Sequence, residues 1–192
     1  MATMFVEAVT QEQLAKVFAF RYKIVCEKEW VSGLDICTPG YETDAYDDYA
    51  IQFAAFGDDG EVDACVRLIH HSPIGYPAAN SMKLDIDSSR FDPDKVAELS
   101  RIYVSEKKRG MQETKRLFQG LKEIVYTKGI ELGIEYTYGG LEKSFLKLLN
   151  MFNYPYKPIG EEQDYFGRRY PCIMYTRDLE AENPDLLSLR SV

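Results

Sequence analysis

The chain has 192 residues, of which 45% are hydrophobic and 28% are charged, so it can bury a core without a metal or a disulfide framework. Its formal net charge of −8 argues against a general nucleic-acid binder, because such proteins need a basic face that neutralises phosphates. The first residues lack the basic start and apolar run of a signal peptide, and no stretch approaches the roughly 18 apolar residues of a membrane-spanning helix. We therefore expect a cytoplasmic protein that is not transmembrane.

The first periodic segment predicts a helix over residues 11–29. Thr10 and Gln13 form a capping-box pair at its start. Its apolar residues follow helical spacing: Leu14, Val17, Phe18, Ile24 and Val25. Arg21 lies on the same face, where an aliphatic residue is expected. Two interpretations remain open, a long side chain that extends along the surface to reach water and a charge directed into a pocket.

A loop and a hairpin follow the helix. Residues 31–48 are rich in Gly, Asp and Tyr and predict an irregular segment. Strands are predicted over 49–56 and 62–69, joined by a Gly-Asp-Asp-Gly turn at 57–60. In the second strand the apolar residues alternate on one face, and Arg67 falls on the other.

The acidic loop contains three aspartates, Asp44, Asp47 and Asp48. The run lacks the glycine of a calcium loop and has no paired histidines for zinc, so we expect no metal site. A solvated acidic loop and a carboxylate that binds a substrate ammonium group both remain possible. The four cysteines form no CxxC pair, so we also expect neither a metal site nor a disulfide framework.

The second half of the chain alternates strands and helices. The predicted strands are 97–105, 134–138 and 172–176, and the predicted helices are 112–132 and 141–152. This order indicates a mixed α/β sheet with helices packed on it, which is the element order of the acetyltransferase fold. We expect one domain over residues 1–178 and a loose polar tail over 179–192.

Glu98 and Arg101 are the most informative pair in the predicted strand. Residues three apart on an ideal strand point to opposite faces, so both side chains reach one site only if a bulge or the start of the strand breaks the alternation. Freed main-chain N–H groups could then polarise a thioester carbonyl, and Glu98 could accept a proton from an amine. An ordinary ion pair at a sheet edge is the alternative.

A basic cluster follows that strand. Its members are Lys107, Lys108, Arg109, Lys115, Arg116 and Lys122. Gly110 precedes a helix, and a helix start with a nearby glycine favours an anion such as a phosphate. A simple turn accounts for Gly110 nearly as well. The cluster could also bind an acidic protein partner.

Taken together, these residues resemble the autoinducer (acyl-homoserine-lactone) synthase superfamily of GNAT-fold acyltransferases, in particular its branch of N-acyl amino acid synthases and exosortase-associated acyltransferases. The matching pieces follow the family's order: Phe18-Ala-Phe-Arg21-Tyr, Trp30, Glu42-Thr-Asp44-Ala-Tyr46-Asp47, Val66-Arg67-Leu68 and Ala97-Glu98-Leu99-Ser100-Arg101. The segment from Ile159 to Pro171 also resembles the end of the exosortase-associated group.

The resemblance implies a single-domain GNAT-like fold, with a mixed twisted sheet, helices on both faces and a strand 98–104 that is splayed from its neighbour. It implies a catalytic pair, Glu98 and Arg101. It also implies two binding sets. The substrate-binding residues would be Arg21, Trp30, Asp44, Asp47 and Arg67. The acyl-donor (phosphopantetheine) residues would be Ile102, Val104, Lys108, Arg109 and Gly110.

The implied reaction is transfer of a fatty acyl chain from acyl carrier protein or acyl-CoA to the amino group of an amino acid or similar small amine, with no tightly bound cofactor. This would be a bacterial signalling activity. Three alternatives remain open: an acyl-homoserine-lactone synthase using S-adenosylmethionine, a plain acetyl-CoA-dependent acetyltransferase, and a non-catalytic acyl-binding domain. The lactone-forming pattern places an aromatic residue where this chain has Val25, which favours an amino-acid acceptor.

Overall fold

The helices and strands that the sequence predicts occur in their predicted order, and the structure adds further short elements. The computed structural model describes residues 3–27 and 36–191. The α-helices are α1 (Gln11–Val25), α2 (Pro77–Ser81), α3 (Met111–Glu131), α4 (Lys143–Met151) and α5 (Thr176–Glu182). The strands are β1 (Met4–Glu7), β2 (Cys37–Thr38), β3 (Tyr41–Glu42), β4 (Ala50–Phe56), β5 (Val62–His70), β6 (Val96–Val104), β7 (Tyr136–Leu141), β8 (Lys157–Pro158), β9 (Gln163–Asp164) and β10 (Arg168–Tyr175).

The chain divides into two compact units. The first consists of Met1–Leu68 and Arg101–Ile124, and the second of Ile69–Ser100 and Val125–Val192. Strand β6 therefore contributes its first half to the second unit and its last four residues to the first. The β6–β7 ladder is parallel, whereas the ladders β1–β4, β2–β3, β7–β10, β8–β10 and β9–β10 are antiparallel. This is the mixed α/β sheet with flanking helices that the sequence predicts.

In the first unit the strand order is β1-β4-β5-β6. The capping box of α1 is present as predicted: Thr10 Oγ1 accepts from Gln13 N at 3.1 Å, and Gln13 Oε1 accepts from Thr10 N at 3.2 Å. One core cluster contains Val17 of α1 and small residues of the strands, such as Ala54 and Cys65. The helix ends at Val25, before the predicted 29, and residues 28 and 29 lie outside the described residues.

In the second unit the strand order is β6-β7-β10-β8. The parallel ladder pairs Val96 with Tyr136, Ala97 with Thr137 and Glu98 with Tyr138. The core beside this ladder is aromatic, with the ring of Phe91 4.6 Å from that of Tyr136 between centroids. Ring pairs of this kind contribute about 0.5–1.5 kcal/mol beyond the area that they bury.

The end of the chain differs from the expected loose tail. Residue 179 lies inside α5, and a 3₁₀ segment follows over Pro184–Ser191. Leu179 and Leu186 are both buried, at 6% and 1% exposure. Arg190 pairs with Glu180, and the Tyr126 hydroxyl donates to the same carboxylate at 2.6 Å. The leucines at 179, 186, 187 and 189 stand among polar residues, and their spacing does not show which of them are buried.

A disulfide joins Cys26 and Cys37, so the expectation of no disulfide is wrong for this pair. Cys26 caps the end of α1 and Cys37 lies on β2, which brings their Cα atoms to 6.0 Å. That separation is within the usual range of about 4.4–6.8 Å. Spacing in the sequence could not show that the chain turns back after α1. The other two cysteines, Cys65 and Cys172, are buried thiols, and burial raises the pKa of each to about 12.

Candidate functional site

Arg21 is fully buried on the inner face of α1. Its guanidinium donates to both oxygens of Asp47, at 2.7 Å from Nη1 to Oδ1 and 2.9 Å from Nη2 to Oδ2. Its Nε donates to Glu42 Oε2, and the guanidinium carbon lies 5.2 Å from the centre of the Phe18 ring. The interpretation of a side chain reaching for water is therefore wrong. The guanidinium on the apolar face of α1 forms ion pairs with buried carboxylates.

Two further arginines of the first unit contact the same acids. Arg67 Nη1 lies 2.6 Å from Asp44 Oδ1 and 3.1 Å from Asp47 Oδ1. Arg101 Nη2 donates to Asp44 Oδ2 at 2.9 Å and to Glu42 Oε1 at 2.8 Å. Asp44 and Asp47, which the resemblance assigns to the substrate site, are thus paired with the strand arginines Arg67 and Arg101. The solvated-loop alternative does not hold for Asp44 and Asp47.

We call this group the ion network. Its members are Arg21, Arg67, Arg101, Glu42, Asp44 and Asp47. The three guanidinium groups and three carboxylates cancel in formal charge. A buried network requires this balance, because an unpaired ion in the low-dielectric interior lowers the free energy of unfolding by roughly several kcal/mol.

Glu42 and Gln52 belong to this site, although the sequence analysis gave neither a role. Glu42 is fully buried on β3 and bridges Arg21 to Arg101. Gln52, 2% exposed on β4, donates from Nε2 to Asp47 Oδ1 at 2.9 Å and accepts from Arg21 Nη1 at 3.3 Å. A signal for Gln52 was present, since it is a polar residue within the otherwise apolar strand Ala50–Phe56.

The pKa values in the ion network follow from its pairing. Burial alone would raise the pKa of Glu42, but Arg101 and Arg21 outweigh burial, so the pKa lies below its usual range. Burial likewise opposes the ionised form of Asp47, and bonds from Arg21 reverse this and lower its pKa. For Arg21 the pKa is raised, since Asp47 and Glu42 more than offset desolvation. All of these groups are thus fully charged near neutral pH.

Arg101 interrupts the regular pleat of β6. Its φ of +52° lies in the left-handed region, which residues other than glycine rarely adopt. The alternation of side chains along β6 therefore breaks at this residue. Backbone strain of this kind costs about 1–3 kcal/mol and persists only where surrounding contacts hold it. Here the contacts of Arg101 with Glu42 and Asp44 supply that restraint.

Glu98 is the buried acid of the second unit, with 2% of its surface exposed. Its Oε2 accepts from the main-chain N–H of Ala78 on α2 at 2.8 Å. It lies at the last residue pair of the β6–β7 ladder, opposite Tyr138. Burial raises the pKa of the nearby Tyr156 hydroxyl, and the charge of Glu98 adds to this effect. Glu98 is therefore held in an enclosed environment, with the Ala78 N–H as one of its hydrogen-bond donors.

The residues assigned to the acyl donor are distributed along the end of β6 and the turn after it. Ile102 and Val104 are half-buried on β6, and Gly110 directly precedes α3 with open space where a side chain would stand. Lys108 Nζ lies 3.6 Å from the buried Asp63, and Arg109 lies 3.5 Å from Glu106. The basic cluster is therefore partly neutralised by neighbouring acids.

Four further sequence predictions have separate outcomes. Trp30 lies outside the described residues. Lys122, counted in the basic cluster, is 3% exposed, and burial lowers its pKa to about 8, so it adds little positive surface.

Within residues 3–27 and 36–191 no group of three or more His, Cys, Asp or Glu side chains could hold a metal ion. The same residues contain no helix long and apolar enough to cross a membrane.

Solved structures share this fold. The CoA-dependent acyl-homoserine lactone synthase BjaI, solved with SAM and isopentyl-CoA, has a TM-score of 0.68 at 18% identity, over 96% of this chain and 90% of BjaI. The AHL synthase LasI has a TM-score of 0.71 at 14% identity, over 94% of each chain. FeeM, an N-acyl amino acid synthase from uncultured soil microbes, has a TM-score of 0.63 at 14% identity, over 97% of this chain and 98% of FeeM.

No protein-family model matches the chain, and no curated protein matches it in sequence. The structural similarity covers nearly the whole chain at low identity. The chain therefore shares the GNAT-like fold of these structures.

Proposed function

We propose that this chain is an N-acyltransferase that moves a fatty acyl chain from acyl carrier protein or acyl-CoA to the amino group of an amino acid or a similar small amine. The observation that carries the proposal is the buried ion network. Five of its six members are positions that the family resemblance assigns to the site, and they meet in space from α1, the acidic loop, β5 and β6. A network of this size is costly to bury for stability alone.

The chemistry requires a proton acceptor. The amine nitrogen attacks the thioester carbonyl carbon, a C–N bond forms, the C–S bond breaks, and the carrier leaves as its thiol. Amino-acid amines are largely protonated near neutral pH, because their pKa lies above about 7. We assign the acceptance of the proton, directly or through water, to Glu98, the buried acid of β6. The break in β6 at Arg101 supports a role for main-chain N–H groups in binding the oxyanion.

The acceptor would be recognised at the more exposed edge of the ion network. Asp44 and Arg101 have 15% and 14% of their side chains exposed, whereas Arg21 and Arg67 have none. An amino acid presents an ammonium and a carboxylate, which match this oppositely charged pair. Arg21, Arg67 and Asp47 would then orient Asp44, and Trp30 would line the substrate site as the resemblance implies.

The donor would bind along the end of β6 and the start of α3. Ile102 and Val104 would contact the pantetheine arm, and Lys108, Arg109 and Gly110 its phosphate. Acyl carrier proteins are acidic, and the exposed lysines of this segment, Lys107 and Lys115, offer complementary charge. Acyl donors of this kind are cytoplasmic, and the cytoplasm is the compartment that we propose.

Glu98→Gln tests the proposed chemistry, because it keeps the shape and removes the charge. Loss of a positioned base lowers kcat by roughly 10²–10⁴-fold. Binding of a non-transferable acyl-donor analogue, measured by calorimetry, should change little. Glu161→Gln is the matched control, since Glu161 is exposed in the same unit. Near-full turnover by Glu98→Gln at neutral pH would show that Glu98 is structural.

The donor assignment is tested by charge reversal at the two exposed lysines. Lys107→Glu combined with Lys115→Glu should lower kcat/KM for acyl carrier protein, and the loss should shrink at high salt, because exposed charges mainly govern the rate of encounter. A small acyl-thioester should react as before. Lys83→Glu combined with Arg177→Glu is the control, since it changes the net charge equally at exposed positions of the second unit. Equal losses for both donors would contradict the assignment.

Mass spectrometry of lipid extracts from cells that overproduce the chain separates the remaining possibilities. A new N-acyl amino acid supports the proposed reaction. An acyl-homoserine lactone would identify the S-adenosylmethionine-dependent alternative, and a short N-acetyl product the acetyltransferase. No new acyl species, together with tight binding of acyl donor, would identify a non-catalytic acyl-binding domain.

A further inference from the structure

The segment that contains α2 contacts β6 at two points beside Glu98. The Tyr76 hydroxyl donates to the main-chain oxygen of Val96 at 2.7 Å. Two residues later, Ala78 N–H donates to Glu98 Oε2 at 2.8 Å. The two donors, Tyr76 and Ala78, are two residues apart in their segment. The two acceptors, Val96 and Glu98, are likewise two residues apart on the strand. The segment is therefore aligned on β6 at the position of the buried acid.

Tyr76 is itself fixed by the aromatic core of the second unit. Its ring lies 6.2 Å from that of Tyr138 in an edge-to-face arrangement, and Tyr138 is the residue opposite Glu98 in the β6–β7 ladder. Pro77 separates Tyr76 from Ala78, and its ring restricts the backbone between the two bonds. The position of the Ala78 N–H is thus determined by Tyr76 on one side and by the start of α2 on the other.

We infer that Tyr76 is a positioning residue for Glu98, acting through the main-chain N–H of Ala78. This inference rests on the proposed function of Glu98 as proton acceptor. A bond from an N–H stabilises the ionised form of a carboxylate and restricts its rotation. A buried carboxylate without such a donor favours its neutral form, which cannot accept a proton. The segment from Tyr76 to Ala78 would keep Glu98 charged and correctly oriented.

Tyrosines are among the ionisable groups near Glu98 in the second unit. The charge of Glu98 acts on the hydroxyls of Tyr76 and Tyr156, and Tyr138 is opposite Glu98 in the β6–β7 ladder. Burial raises the pKa of each hydroxyl, that of Tyr138 to about 12. These hydroxyls stay neutral below about pH 9. Asp94 also acts on the Tyr76 hydroxyl, and Asp94 lies 3.5 Å from His71 in the same unit. A change near neutral or acidic pH is therefore assigned to Glu98 only where Glu98→Gln removes it.

Tyr76→Phe removes the anchoring hydroxyl and keeps the ring. We expect kcat to fall by roughly 2- to 10-fold, the effect of one lost hydrogen bond, with little change in KM for the donor. The acidic limb of the pH–rate profile should move to higher pH, because the charged carboxylate is less well stabilised. Tyr136→Phe is the matched control, since Tyr136 belongs to the same aromatic core and its ring packs on Phe91.

A second measurement does not depend on turnover. In the wild-type protein the amide proton and nitrogen resonances of Ala78 should shift with pH as Glu98 titrates, and Glu98→Gln should abolish that shift. Tyr76→Phe should reduce the shift, and Tyr136→Phe should not. An Ala78 amide that does not follow the titration of Glu98, or equal effects of the two phenylalanine variants, would overturn the inference. Unimpaired turnover by Glu98→Gln would instead overturn the proposed role of Glu98, whatever the resonances show.

Discussion

Glu42→Gln removes one negative charge from the ion network and changes its shape little. Glu42 is fully buried and is shared by Arg21 and Arg101, so the variant leaves two guanidinium groups facing a neutral amide. Removal of one partner from a buried ion pair typically costs about 3–5 kcal/mol. For a chain of this length each kcal/mol corresponds to roughly 2–4 °C in Tm. We therefore expect a loss in Tm on the order of 10 °C.

The assay is urea unfolding at pH 7, with Glu135→Gln as the control. Glu135 forms an ion pair with Lys95 at 2.6 Å, but both side chains are about half exposed, at 50% and 43%. An exposed pair contributes about 0–1 kcal/mol, so the same chemical change should have a small effect there. The comparison isolates burial as the variable, because the substitution is identical and both glutamates lie beside a cation.

The pH dependence has a defined sign. The pKa of Glu42 is lowered in the folded protein, so its contribution to stability is present above the unfolded value of about 4 and is lost as the pH falls through the lower folded value. The gap between wild type and Glu42→Gln should accordingly be largest near neutral pH and should shrink below pH 4, roughly. A loss of under about 1 kcal/mol at pH 7, or a gap that does not change with pH, would refute this account of the ion network.

Two further predictions concern packing and the disulfide. A Cβ at Gly120 on α3 would lie 2.3 Å from the ring of Phe5. Gly120→Ala should therefore lower the free energy of unfolding by about 1–3 kcal/mol. Gly129 is in open space on the same helix, so Gly129→Ala should raise the free energy of unfolding by up to about 1 kcal/mol. Equal urea midpoints for the two variants would contradict the packing at Phe5. Cys26→Ser should lower stability by roughly 2–4 kcal/mol, and wild type treated with reductant should match it in thermal unfolding. Identical curves for reduced and oxidised wild type would contradict a stabilising bridge.

Local chemistry in the sequence was enough to predict most of the fold. The capping box at Thr10 and the Gly-Asp-Asp-Gly turn are signals whose physical cause lies within a few residues, and both occur as predicted. Boundaries were less well predicted: β7 extends to Leu141, three residues past the predicted end. Glycines at 139 and 140 have low strand propensity, and pairing with β10 overrides that preference.

The candidate site was predicted in part, for a related reason. Arg21 was identifiable because a charge on the apolar face of a helix contradicts its surroundings. Glu42 carried no such signal, since it lies in a polar stretch of the sequence where an acid is ordinary. Its burial depends on Arg101, 59 residues away. The bond from Ala78 to Glu98 involves a main-chain group, which leaves no trace in residue type. The disulfide depends on a reversal of chain direction that residue spacing does not encode.

The left-handed backbone at Arg101 has a consequence for mutational scanning of β6. Alanine at this position removes the guanidinium but keeps the unfavourable φ of +52°, whereas glycine removes both, so the two substitutions measure different quantities. The difference between them approximates the conformational penalty alone, about 1–2 kcal/mol. A scan that uses only alanine would assign this penalty to the side chain. Because the loss of a buried ion-pair partner costs about 3–5 kcal/mol, the pairs that Arg101 forms with Glu42 and Asp44 outweigh this penalty, and glycine would lower stability here despite its permissive backbone.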